Sequence, residues 1–197
     1  MSRIKIFTII FALTSVGLAY YLFNSINTSI VESKRIATME TAVIGRLKMI
    51  RDAEIGYKSV KGSYTSDWDQ LLNFIDSGSF YITQRTETII PLEYGGDSTY
   101  VEIDTLGTVG VRDSLFNTVR FPKFNLADLP YVPGITPKVK FNIWTDKIKR
   151  SNLMVDAIEV WNPSPIDPTR NEDSEINIKK PLRFGSRTNI TTAGNWE

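Results

Sequence analysis

The chain contains no cysteine and no histidine. The lack of cysteine excludes disulfides, a lipidated lipoprotein cysteine and a thiol nucleophile, and the lack of both residues excludes zinc sites of the usual kind. Without histidine there is no imidazole base either. A metal site would therefore consist of carboxylates alone, and acid–base chemistry would depend on Asp, Glu, Lys or Tyr. We predict no catalytic residue, no cofactor and no metal site.

A large excess of charge is also absent, because 23 basic and 22 acidic residues leave a net charge of +1. Basic residues are scattered apart from short runs such as Lys147–Arg150, so we expect no nucleic-acid partner. The paired acids Asp67 and Asp69 are better explained by helix capping than by catalysis. Gly95–Ser98 is predicted to be a turn, since it lacks the glycine–lysine–serine pattern of a phosphate-binding loop. We identify no small-molecule substrate.

The chain does contain a long uncharged apolar run, Ile6–Phe23. A run of this length predicts a transmembrane helix at 6–23. Arg3 and Lys5 precede the run and the next basic residue is Lys34, so the positive-inside rule predicts a cytoplasmic N-terminus at 1–5 and an extracytoplasmic remainder. A cleaved signal peptide is the alternative, but no A-x-A-like cleavage site follows the run.

Beyond the apolar run, the polar stretch Asn24–Ser29 predicts a bend at the membrane surface. An amphipathic helix is then predicted from Ile30 to Lys61, with Glu40 and Glu54 interrupting its apolar seam, which favours packing on a domain over a coiled coil. A second, short helix is predicted over Asp67–Asp76. The apolar residues that recur every seven positions in the long helix are Ile36, Val43, Ile50 and Tyr57.

From Phe80 onward the periodicity approaches two, which predicts strands that complete an extracytoplasmic α+β domain at 24–161. Asp104–Gly107 is predicted to be a tight hairpin turn and Lys147–Asn152 the turn into the last strand. The predicted strands are Phe80–Thr83, Thr99–Asp104, Thr108–Arg112, Lys138–Trp144 and Met154–Trp161.

The remaining segment, 162–197, is rich in proline and polar residues, which predicts a surface tail. A flexible terminus is one interpretation of its last stretch, Leu182–Glu197. The other is that Trp196 docks on the domain or on a partner. A tryptophan left exposed would not gain the free energy that burial of its large ring provides.

The segment Arg51–Ile75 resembles the end of the long helix in type IV pilins and secretion pseudopilins. Those proteins share the pattern A-x-x-x-Y-K-x-x-x-G-x-Y before a short helix and a sheet. The chain differs from pilins in one respect. Pilins carry a processing site with glutamate as the fifth mature residue, whereas the first acidic residue here is Glu32. The resemblance therefore implies a helix packed on a sheet rather than filament formation. The matching residues are Ala53, Tyr57, Lys58, Gly62 and Tyr64.

The anchor, the stretch Ala42–Thr65 and the terminal AGNWE also resemble uncharacterised single-pass envelope proteins of Bacteroidetes. This resemblance covers the first third of the chain and its last residues. It implies an inner-membrane protein of unassigned function. In those bacteria O-glycans are attached to a D-[ST]-aliphatic motif outside the cytoplasm, and Thr105 and Ser114 match that motif. The resemblance thus makes them candidate O-glycosylation sites.

Together these patterns predict an α+β fold in which a transmembrane helix continues into an amphipathic helix packed on a small, mostly antiparallel, pilin-like sheet. The expected function is that of a non-enzymatic, single-pass envelope scaffold or assembly component in the bacterial inner membrane, with a periplasmic domain. A pseudopilin-like subunit of a secretion or uptake machine is the alternative. The expected partners are the membrane and other envelope proteins or further copies of the chain.

Overall fold

The computed structural model describes residues 3–91, 94–167 and 181–197. The chain is α+β, with a long N-terminal helix and small antiparallel sheets. The helices are α1 (Arg3–Lys61), α2 (Trp68–Ser77) and α3 (Val111–Leu115), with a 3₁₀ turn at Leu126–Asp128. The strands are β1 (Ser79–Pro91), β2 (Asp97–Gly110), β3 (Asn142–Arg150), β4 (Leu153–Trp161) and β5 (Arg183–Gly185).

Helix α1 is continuous over 59 residues, so the predicted bend at Asn24–Ser29 is wrong. Two of the polar side chains in that stretch bond back to the helix itself. The hydroxyl of Thr28 donates to the Asn24 carbonyl at 2.9 Å, and that of Ser29 donates to the Ser25 carbonyl at 3.1 Å. Such bonds satisfy the hydroxyls without breaking the helix.

The C-terminal half of α1 carries one wall of the core. Val43, Leu47, Ile50 and Ala53 are fully buried, at spacings of three and four residues that place them on one face of the helix. The predicted amphipathic packing helix is confirmed. Further along the same half, the small Gly56 allows the ring of Phe80 to approach, and an added Cβ there would lie 2.9 Å from that ring.

Helix α1 ends before Gly62, whose φ of 86° favours glycine. Helix α2 then begins at Trp68, one residue later than predicted, with Asp67 as its N-cap. The Asp67 carboxylate accepts from the Asp69 amide at 2.9 Å. Its apolar face, with Leu71 and Ile75 fully buried, returns against α1.

Strands β1 and β2 form one long antiparallel ribbon. The predicted turn at Asp104–Gly107 is wrong, because β2 runs through it and the strand reverses near Gly95 and Gly96, which have φ of 81° and 103°. Ile82 faces Gly107 and Thr83 faces Thr105, so the residue between, Leu106, is an extra one that makes a β-bulge. The sequence signal at this point marked a bulge and not a turn.

The second sheet has the order β3-β4-β5 and is antiparallel throughout. Strand β3 begins at Asn142 and continues through Arg150, so the predicted turn at Lys147–Asn152 is shorter than expected. Only Ser151 and Asn152 make the hairpin, with φ of 44° and 70°, as a two-residue turn requires. Buried side chains of β4, Ile158 and Val160, meet α1 in the core.

The C-terminal stretch is part of the fold, so its interpretation as a flexible terminus is wrong. Strand β5 pairs with β4, Phe184 is fully buried, and Trp196 packs against the core. The side-chain oxygen of Asn195 accepts from the Arg183 amide at 3.0 Å and holds the last residues to the strand. Of the predicted tail 162–197, positions 168–180 lie outside the described residues.

Candidate interaction surfaces

The N-terminal half of α1 packs against nothing in the described part of the chain. We call residues 7–35 the projecting segment, because every side chain whose burial is described there is exposed. At 1.5 Å per residue this segment is about 40 Å long. Its large apolar side chains point in all directions, with Phe7 73%, Phe11 76% and Leu13 69% exposed. An apolar surface of this kind on all sides of a helix requires cover from something else.

Within the described ranges, no helix is both long enough and apolar enough to span a membrane. The predicted span 6–23 includes positions 6 and 9, whose side chains lie outside the described residues, as do those of the predicted N-terminus 1–5. The membrane segment therefore stays a prediction.

The second uncovered element is the ribbon, which we define as β1 and β2 together. In the part of the chain that the structure describes, only its base is anchored, where the ring of Phe80 lies 6.0 Å from that of Phe74 and the Val111 amide donates to the Gly78 carbonyl. Beyond the base both faces are exposed, and the ribbon pairs with no other strand among those described. The most exposed apolar side chains along the two strands are Tyr81 (68%), Ile89 (65%), Ile103 (64%) and Leu106 (64%).

Both candidate glycosylation residues are exposed. Thr105 lies on β2 beside the bulged Leu106, and Ser114 lies in α3 after the exposed Asp113. They belong to different elements. Exposure makes both hydroxyls accessible to a modifying enzyme, and glycosylation itself stays a prediction.

A polar cleft of about 560 Å³ lies where the C-terminal stretch crosses α1 and β4. Arg51 donates to the Glu197 carboxylate at 2.6 Å and to the Thr192 carbonyl at 3.4 Å. The bond from Arg51 holds the pKa of the Glu197 carboxyl below its usual value. Because Arg51 and Glu197 are already paired with each other, we interpret the cleft as the place where the C-terminus is held to α1 rather than as a reactive site.

The other side of this cleft carries a second charge pair. The Lys58 ammonium lies 4.4 Å from the centre of the Tyr64 ring and 4.0 Å from the Asp156 carboxylate. Burial, with the charges of Glu54 and Asp156, raises the pKa of Tyr64. Sequence reasoning named Lys58 and Tyr64 only as matches to the pilin pattern, and it missed the cluster because Asp156 comes from β4, a distant part of the chain.

Glu54 is the unusual titratable group of the core. Its side chain is fully buried, and within the described part of the chain only one carboxyl oxygen has a partner, the Thr65 amide at 3.2 Å. Burial raises the pKa of Glu54 to about 8, opposed only in part by that hydrogen bond. The carboxyl is therefore mostly protonated at neutral pH. Glu54 was noted in the sequence as an interruption of the apolar seam, and the structure places that interruption inside the core.

A smaller, mostly apolar pocket of about 290 Å³ lies against the other side of α1. Its floor includes Phe121 and Phe124, which pack with Phe116, and its rim includes Arg46 and Arg120. Burial lowers the pKa of Arg46, opposed by the charge of Asp128. Residues of these types bind anions or aromatic groups in other settings, but nothing in the pocket selects a particular ligand.

No group of three or more acidic side chains is arranged to hold a metal ion within the described residues. We compared the chain with known protein families, curated proteins and solved structures, and none of them matches it. Functional conclusions therefore depend on the molecule's own surfaces, above all on the projecting segment and the ribbon.

Proposed function

We propose that this protein is a non-enzymatic, single-pass scaffold or assembly component of the bacterial envelope. In this proposal residues 6–23 cross the inner membrane, the N-terminus lies in the cytoplasm and the α+β domain lies in the periplasm. The observation that carries the proposal is the projecting segment, whose exposed apolar side chains lack any cover in the described chain.

The dimensions and the order of the sequence support the anchor. Eighteen helical residues span about 27 Å, close to the roughly 30 Å of a bilayer core. Tyr20 and Tyr21 are exposed at the outer end of the run, where aromatic side chains favour the interface. Because α1 is continuous, it would fix the position of the domain, which packs on α1 from Val43 onward, relative to the membrane.

Membrane fractionation of the full chain tests the anchor. The chain, produced in a Gram-negative host, should stay in the membrane pellet after an alkaline carbonate wash, and protease added to spheroplasts should digest the domain. Recovery in the supernatant without detergent would contradict the proposal.

A matched pair of variants sharpens this test. The double change Leu13→Lys and Val16→Lys places two charges at the centre of the run, each costing about 2.5–3.5 kcal/mol on insertion scales. It should release the chain from the pellet. Val31→Lys, at a position that is also exposed but lies outside the run, should leave it there.

The pilin-like alternative is favoured by one feature, a continuous helix that packs on its domain only in its C-terminal half. Under that proposal the chain would be a pseudopilin-like subunit of a secretion or uptake machine. Intact-mass measurement of the mature protein distinguishes the two, because cleavage next to Gly17 or an N-methylated terminus would support the pilin class.

The glycosylation proposal concerns Thr105 and Ser114 and has its own test. The full chain purified from a Bacteroidetes host should carry extra mass that is lost in part in Thr105→Val and in part in Ser114→Ala. An unmodified mass in that host would exclude it.

A further inference from the structure

We propose that the ribbon pairs with the ribbon of a second copy of this chain, through the free edge of β1, in an antiparallel register centred on Thr86. The pairing deepens the assembly role proposed above by naming the partner. Its test depends on the ribbon alone, whether or not residues 6–23 enter a membrane.

The ribbon is an incomplete sheet by itself. Among the described residues, the strands of 13 and 14 residues pair only with each other, and almost every side chain beyond the base is exposed. A two-stranded hairpin in water is marginally stable, whereas three or more strands with shared apolar contacts are stable. The unpaired backbone groups along a long free edge also invite another strand. A second copy that extends the sheet would meet both needs.

The sequence of β1 is complementary to itself when two copies run antiparallel about Thr86. Arg85 of each copy then faces Glu87 of the other, so opposite charges meet twice. Both side chains are exposed, and they already form an ion pair within one chain. Isoleucine faces isoleucine at the ends of this register. The facing pairs are Ile82–Ile90, Thr83–Ile89, Gln84–Thr88, Arg85–Glu87 and Thr86–Thr86.

The edge of β2 lacks this complementarity. Its charged residues are all acidic: Asp97, Glu102 and Asp104. An antiparallel pairing of two β2 strands about Glu102 would set like charges opposite each other, and one about Ile103 would set Glu102 against Asp104. The bulge at Leu106 further interrupts this edge, as edges protected from pairing commonly are. Self-pairing therefore brings opposite charges together on the β1 edge, whereas the β2 edge has no basic residue with which its acids could pair.

A symmetric pair of this kind closes on itself, since the same patch is used by both copies. It therefore predicts a dimer and not a fibre. Pairing of β1 with β2 of another copy would be head-to-tail and would leave free edges for further growth.

Cysteine crosslinking of the full chain in mild detergent tests the register, and the native chain contributes no cysteine to the background. The Thr86→Cys variant should form a disulfide dimer on oxidation, because the two Cβ atoms face each other about 5 Å apart. Thr88→Cys should stay monomeric, since its two copies would lie four residues apart along the strand, about 14 Å. A mixture of Gln84→Cys and Thr88→Cys should crosslink again.

The matched variant for the other edge is Glu102→Cys, which should not crosslink with itself. A short bismaleimide used beside the oxidant removes the dependence on disulfide geometry. Equal crosslinking of Thr86→Cys and Thr88→Cys, preference for Glu102→Cys, or no crosslink with either reagent would overturn the proposal. Preferential crosslinking between Thr86→Cys and Glu102→Cys chains would indicate the head-to-tail pairing instead and would also overturn it.

A charge exchange gives an independent readout by sedimentation. Arg85→Glu alone and Glu87→Arg alone set like charges opposite each other twice and should weaken the dimer about tenfold. The double variant restores both contacts and should restore the dimer. Unchanged assembly in the single variants, or no recovery in the double variant, would contradict the proposed register, and thermal unfolding would show that the domain is intact in all three.

Discussion

The two antiparallel sheets of this protein differ in what covers them. Side chains of the β3-β4-β5 sheet, such as Ile158 and Phe184, lie in the core at 1% and 0% exposure, whereas Ile103 of the ribbon is 64% exposed. The same secondary structure thus serves two purposes. The packed sheet stabilises the fold against α1, and the ribbon presents apolar surface outward. Strand pairing alone does not show which elements hold a domain together, and burial does.

The largest effect is expected at Phe184, where β5 joins the core. Phe184→Ala removes a fully buried ring and should lower the free energy of unfolding by about 3–5 kcal/mol. Chemical denaturation of the full chain in detergent measures this. A loss below about 1 kcal/mol would mean that the C-terminal stretch is not part of the folded core, which would break the comparison.

A matched pair of isoleucines compares the two sheets directly. Ile158→Ala on β4 should cost about 2–5 kcal/mol of unfolding free energy because it leaves a cavity. Ile103→Ala on the ribbon should change it by no more than about 0.5 kcal/mol. Equal losses at the two positions would show that the ribbon is packed in the native protein. The measurement is the denaturation midpoint at a fixed protein concentration.

The buried Glu54 should make the packed region sensitive to pH. Its folded pKa of about 8 lies above the ordinary value of 4.5, so the folded state holds a proton that the unfolded chain releases between these values. Stability should therefore fall as pH rises from about 5 to 8 and level off above, with a total on the order of a few kcal/mol.

Glu54→Gln keeps the shape without the charge, so it should remove most of this pH dependence and be the more stable protein at pH 8.5. The exposed Glu102→Gln is the control. A parallel decline of wild type and Glu54→Gln between pH 5 and 8 would assign the effect to another group.

The smallest effect is expected at the surface bond between Arg51 and Glu197. Glu197→Gln weakens a partly exposed ion pair and should lower the denaturation midpoint less than any of the changes above. Added salt should reduce the difference between the variant and the wild type, because exposed charges are screened. A salt-independent loss larger than that at Phe184 would mean that the charge pair, and not burial, holds the C-terminus.

The elements that could be predicted from the sequence are those whose local residue pattern agrees with their surroundings in the folded chain. The buried stripe around Val43 and Leu47 and the strand ending at Trp161 follow directly from apolar spacing. Prediction from the sequence failed where the structure depends on a contact with a residue far away in the chain. Nothing near Phe184 marks it as a partner of β4, and Asp104–Gly107 has turn residues because the ribbon bulges there.

The candidate surfaces were predicted to different degrees. The apolar run of α1 is visible without a structure, but the ribbon as an uncovered element is not, because the same alternation of residues also suits a packed sheet. The self-complementary order around Thr86 becomes meaningful only once β1 is known to have a free edge.

Hydrogen exchange of the full chain in lipid nanodiscs tests the central claim most directly, namely that lipid covers residues 7–23 and that a second copy pairs with the free edge of β1. We expect the amides of residues 7–23 to exchange more slowly in nanodiscs than in the lipid-free chain after the detergent has been diluted. We expect the β1 amides that face the free edge, and not those already bonded to β2, to gain protection when a disc holds more than one copy. Free exchange in both regions at every occupancy, with β4 still protected, would contradict the account.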